Sequence, residues 1–127
     1  MLTKGLRDEE NERINNILKQ LISLVYVPEN WNLDELEKHL NYLALTLEKL
    51  LGFSSDDLIA HLEKLHFDWA NAEQFADFIV LLSDRKEEER TQLREKAVVI
   101  YEYIQKESKV FSFDIFNKIA KAKAYPE

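Results

Sequence analysis

Apolar positions in this chain recur at steps of three and four along most of its length, which is the period of helices burying one face. Ile14, Ile17, Leu18, Leu21, Leu24 and Val25 form the first such stripe. It predicts a helix from about Asp8 to Val27, with Asp8, Glu9, Glu10 and Glu12 at the end where the macrodipole favours negative charge. Pro28 ends it by restricting Val27 and withholding a backbone donor. A second stripe, Leu36, Leu40, Leu43, Leu47 and Leu50, steps like a heptad seam. Asn32 is suited to cap this helix, with Glu35 completing a capping box and Trp31 and Leu36 a hydrophobic staple. Gly52 is placed as its left-handed terminator.

The next helix is short. Ser54 stands as its cap, and Leu58, Ile59, Leu62 and Leu65 as its apolar face. The turn before it spans only a few residues, so it is expected to pack antiparallel to its predecessor. Asp68 can cap a fourth helix with Ala72, Phe75, Ala76, Ile79 and Leu82 inward. Ser83 to Lys86 reads as a turn, with Asp84 and Glu87 as a capping pair. A fifth helix then runs to about Lys106 on Leu93, Ala97, Ile100, Tyr101 and Ile104. After a break near Ser108, the segment VFSFD reads as briefly extended. Ser112 caps a last helix with Phe113, Phe116, Ile119 and Ala120 facing in.

Composition agrees with this pattern. Two glycines and two prolines in 127 residues leave little material for the tight turns of strand-rich folds. The length suits one core, and no linker-like stretch divides the chain, so residues 1–127 are expected to form a single all-α domain of about six helices packed as antiparallel hairpins. The net charge of −7 falls mostly on residues 1–70, which argues against nucleic acid as a partner. No run of about 18 apolar residues is present, so no membrane association is expected. Cysteine is absent. Disulfides and thiolate chemistry are thereby removed, and a cytoplasmic setting is expected. The first residues lack the apolar core of a signal peptide.

The fourth and fifth helices resemble a tetratricopeptide-repeat hairpin. Phe75, Ala76 and Ile79 stand near the packing positions of such a repeat's first helix, and Glu95-Lys96-Ala97 followed by Ile100-Tyr101 looks like the "EKA…IY" of many second helices. A wider resemblance covers about residues 21–119. The order of a leucine-rich helix, LLGFSSDDLIAHLE, AEQFADFIVLL and REKAVVIYEYIQKESKVFSFDIFNKI is similar to an uncharacterised group of small bacterial all-helical proteins, tetratricopeptide-like in the C-terminal half. That resemblance implies a fold and no established activity.

Candidate chemistry is sparse. Asp57 and His61, Glu63 and His66, and Glu35 and His39 share helix faces as pairs, whereas a metal site needs three or four convergent ligands. Glu87, Glu88 and Glu89 diverge around a helix and read as solvated surface. Glycine-rich phosphate loops and nucleophile elbows are absent. No catalytic residue, metal or cofactor is therefore expected, and the chain reads as a non-enzyme. One group has two readings. Tyr101, Tyr103, Phe111, Phe113, Phe116 and Tyr125 either pack a terminal helix onto helix five or expose an aromatic edge, with Tyr103, Phe111 and Phe113 as the partner-binding candidates. The expected function is a protein–protein interaction module that binds a protein partner or self-associates as a homo-oligomer. The alternative is a small-ligand-binding or sensory-regulatory helical protein. Lys118, Lys121 and Lys123 suit the C-terminal end of the last helix.

Overall fold

The computed structural model describes residues 6–124 and is all-helical, without strands among the described residues. Seven α-helices follow one another: α1 (Leu6–Tyr26), α2 (Leu33–Asn41), α3 (Leu47–Gly52), α4 (Ser55–Lys64), α5 (Trp69–Arg85), α6 (Arg90–Glu107) and α7 (Phe113–Ala124). Single 3₁₀ turns at Pro28–Asn30 and Glu87–Glu89 join α1 to α2 and α5 to α6.

Side-chain oxygens open most of the later helices. Asn32 accepts from the Glu35 amide at 3.0 Å, Ser54 from Asp57 at 3.0 Å, Asp68 from Asn71 at 2.7 Å and Ser112 from Ile115 at 3.1 Å. Each satisfies one of the donors that a helix start leaves without an intrahelical partner. Asp84 departs from its expected capping role. It lies inside α5 and pairs instead with Arg94 at 3.0 Å.

The long second helix of the sequence reading is two helices. Leu36, Leu40, Leu43, Leu47 and Leu50 are all buried as their spacing requires. The backbone between them nevertheless turns: α2 stops at Asn41, Ala44 takes a left-handed conformation at φ 58°, and Thr46 opens α3 by accepting from Lys49. The turn brings Leu45 into the core as well. Glu37 of α2 reaches over to accept from the Leu47 amide at 3.1 Å. Gly52 is the last residue of α3 rather than a left-handed terminator, and its φ is not positive.

Carbonyls at the ends of these short helices are closed from a distance. His61 Nε2 donates to the Leu43 carbonyl at 2.8 Å, and Lys96 Nζ donates to that of Phe53 at 2.9 Å. The arrangement supplies polar partners that a helix end otherwise takes from water.

Helices α5 and α6 form the most extensive helix pair, with α1 against α5 on one side and α7 against α6 on the other. Two bonds tie α1 to α5. Asn71 Nδ2 donates to the Asn11 carbonyl at 2.9 Å, and Arg85 Nε donates to that of Val25 at 2.9 Å; each joins residues 60 positions apart. The two helices therefore run parallel, and α2 to α4 carry the chain back between them. The Arg85 guanidinium also lies 5.7 Å from the ring centre of Trp31. One cluster of buried apolar side chains draws on every helix, with Phe75, Phe78, Leu82 and Tyr101 among its buried members.

Candidate functional site

The aromatic group of the C-terminal half divides into three parts. Tyr101 is buried in the α5–α6 interface and donates its hydroxyl hydrogen to Asp77 Oδ1. Burial and that bond hold its phenol well above the ordinary tyrosine range. Tyr103 sits elsewhere, half-buried, with its ring centre 5.5 Å from that of Trp69 and its hydroxyl 3.2 Å from Glu63. Partial burial, then the carboxylate of Glu63, push this phenol up to about 12. Tyr125 lies outside the described residues.

Phe111, Phe113 and Phe116 make the third part. Phe111 meets Phe113 edge to face with ring centres 4.9 Å apart, and Phe116 stands 6.1 Å from Phe111. With Val110 they are exposed by 60%, 76%, 53% and 69% in the order Phe111, Phe113, Phe116, Val110. Of the expected inward stripe of α7, Ile119 packs against the core, whereas the other three members do not. Ile115 and Ala122 are the buried residues of the helix, while Phe113, Phe116 and Ala120 face solvent. The reason lies in what α7 must satisfy. Lys118, on the packed side, reaches Glu73 at 2.6 Å, Asp77 at 3.1 Å and Asp114 at 3.6 Å. Orienting α7 for this cluster and for Ile115 turns the phenylalanines outward. Desolvation alone would lower the Lys118 pKa, but the carboxylates of Glu73 and Asp77 outweigh it and raise the value.

The short connection before α7 is held in shape. Gln105 donates to the Ser112 carbonyl at 3.0 Å and accepts from its amide at 3.0 Å. Lys109 takes a left-handed conformation at φ 63°. Phe111 and Phe113 are therefore displayed on a braced turn, and the geometry brings these two candidates together while placing Tyr103 in a different ring contact. Phe116 and Val110 join them. Phe116 belongs to the aromatic group named from the sequence but not to its three partner-binding candidates, because its spacing from Phe113 also fits an inward stripe.

Beside the polar cluster lies a half-open cleft of about 420 Å³, lined by Asp77, Val80, Leu81, Asp84, Arg94, Tyr101, Lys118, Lys121 and Ala122. Its walls are mainly apolar. The histidines serve the fold: His61 closes the Leu43 carbonyl, His39 bonds the Glu35 carbonyl at 2.8 Å, and His66 takes a turn position at φ 62°. Among the described residues no three His, Asp or Glu side chains converge as metal ligands would. None of the described helices is long and apolar enough to cross a membrane. Comparison with known protein families, curated proteins and solved structures finds no match to this chain.

Proposed function

We propose that this chain is a non-enzymatic protein–protein interaction module, and that its docking surface is the aromatic face at the α6–α7 turn. One observation carries the reading: Val110, Phe111, Phe113 and Phe116 form a neighbouring set of exposed apolar side chains on a braced turn. Single exposed apolar residues are ordinary on a protein surface, whereas a contiguous aromatic patch loses free energy to water until something covers it. Aromatic side chains also dominate the anchors of interfaces. The α5–α6 pair, read as a tetratricopeptide-like hairpin, would be the rigid support.

The occupant we assign is a second copy of the chain. The protein as a whole carries −7, so two copies repel at most approaches. The residues flanking this face differ: exposed Lys106 and Lys109 balance exposed Glu107 and Asp114. A twofold contact places each residue against the partner's equivalent surface, and a mixed-sign rim offers opposite charges there.

Sedimentation velocity over a concentration series tests this. The expected result is a dimer that the Phe111→Glu, Phe113→Glu double variant abolishes while its helical circular dichroism stays unchanged. A chain that remains monomeric to millimolar concentration overturns self-docking. In that case affinity capture with the same variant as control decides the module reading, which fails if no captured protein is lost with the phenylalanines.

A further inference from the structure

The cleft between α5, α6 and α7 has a chemistry that neither the core nor the aromatic face uses. Its volume of about 420 Å³ falls within the range of small-molecule pockets, roughly 300–1,000 Å³. Val80, Leu81, Ala122 and the ring of Tyr101 make the apolar wall expected of such sites, with a few polar groups at its edge.

The charges in the lining are unequally engaged. Asp77 accepts from Tyr101 at Oδ1 and from Lys118 at Oδ2. Asp84 is held by Arg94 at 3.0 Å. Lys118 is held by three carboxylates. Lys121 is exposed and, alone among the lining cations, makes no ion pair among the described residues. The lining therefore sets three cations, Arg94, Lys118 and Lys121, against two carboxylates, Asp77 and Asp84, beside an apolar wall, with the Lys121 charge outside any ion pair among the described residues.

We propose that this cleft is a binding site for a small organic acid with an apolar body. The body would displace water from Val80, Leu81 and Ala122, and the carboxylate would meet Lys121 without breaking any existing pair. A neutral molecule of the same shape would leave Lys121 unused. A cation would meet three like charges, Arg94, Lys118 and Lys121, in a lining whose two carboxylates, Asp77 and Asp84, each already face one of them.

The probe is 2-naphthoate, titrated into the full chain and followed through backbone amide resonances. Saturable shifts are expected on Val80, Leu81, Asp84, Tyr101 and Ala122. The exposed substitution Lys121→Gln leaves the core untouched and should weaken binding about fivefold, the factor expected for one unit charge at contact distance in water. Val80→Phe, which fills the cleft with apolar volume, should abolish the shifts. The neutral analogue 2-naphthylmethanol should bind more weakly than 2-naphthoate to the wild type and equally to Lys121→Gln. Absence of saturable shifts overturns the proposal. So does a shift set centred on Phe111 and Phe113, and so does an affinity that Lys121→Gln leaves unchanged.

Discussion

The run of short helices α2 to α4 and the long pair α5 and α6 hold their shape by different means. The first three have 9, 6 and 10 residues, and the pair have 17 and 18. Helices of 6 to 10 residues are too short to persist on propensity alone. Each of α2, α3 and α4 begins on a side-chain cap, and reverse turns through Ala44 and His66 follow α2 and α4. By contrast, α6 starts without a side-chain cap after the Glu87–Glu89 turn, yet buries Leu93, Ala97, Val98, Ile100, Tyr101 and Ile104. The contrast teaches that the short segment depends on a cap at every helix start, whereas the long pair, capped only by Asp68 at the start of α5, rests mainly on packing.

The comparison is broken most severely from the packing side. Phe75 is fully buried on α5. Phe75→Ala should cost about 3–5 kcal/mol, the usual loss for a deleted core aromatic with its cavity, read as a lowered denaturation midpoint in urea. A loss below about 1 kcal/mol would mean that the pair does not rest on its core. Removing the caps is milder. Thr46→Ala and Ser54→Ala should each cost about 1 kcal/mol, with faster amide exchange confined to α3 and α4. Equal exchange increases in α5 and α6 would erase the distinction between the regions.

A smaller change goes in the opposite direction. Ala44 is exposed at φ 58°, where a Cβ is strained. Ala44→Gly should raise stability by a few tenths to about 1 kcal/mol, the relief exceeding the extra freedom glycine gives the unfolded chain. A thermal melt checks the sign, and destabilisation would contradict the left-handed turn. The least effect is a matter of pH. The Tyr103 phenol is raised to about 12, so its contribution is complete below the ordinary tyrosine value near 10 and lost as pH rises through 12. Tyr103→Phe should flatten that stretch of the alkaline stability curve, followed by tyrosinate absorbance and circular dichroism together.

Burial was more legible in the sequence than backbone path. The leucine ladder from Leu36 to Leu50 named the right inward residues, because spacing reports which side chains seek the core. It did not report that the chain turns between them, since steps of three and four survive a turn that happens to re-enter in phase. Thr46 was the available clue, a good N-cap placed three residues before Lys49. In α7 the same kind of ladder placed Ile119 correctly against the core but misled for Phe113, Phe116 and Ala120. Phe113 and Phe116 outweigh Ile115 in apolar size, but the ionic partners of Lys118 on α5 lie far off in sequence and decide which way the helix turns. Long-range electrostatics leaves no periodic trace. For that reason the aromatic face was readable as residues, while its composition of Phe111, Phe113 and Phe116 together with Val110 required the fold.

The paired bonds between α1 and α5 act as a gauge of length. Asn71 grips the Asn11 carbonyl and Arg85 grips that of Val25, with the same offset of 60 positions at both points. The two grips stand on the order of 20 Å apart along the axes, at 1.5 Å of rise per residue. One residue added to α5 between Asn71 and Arg85 would shift one grip by that rise and turn it about 100° around the axis, so both could not close at once. A residue added in the connections of α2 to α4 changes only the offset, and leaves both grips in step. The molecule can thus absorb insertions in the chain between these helices while refusing them within, and the two carbonyls of α1 are where that refusal is enforced.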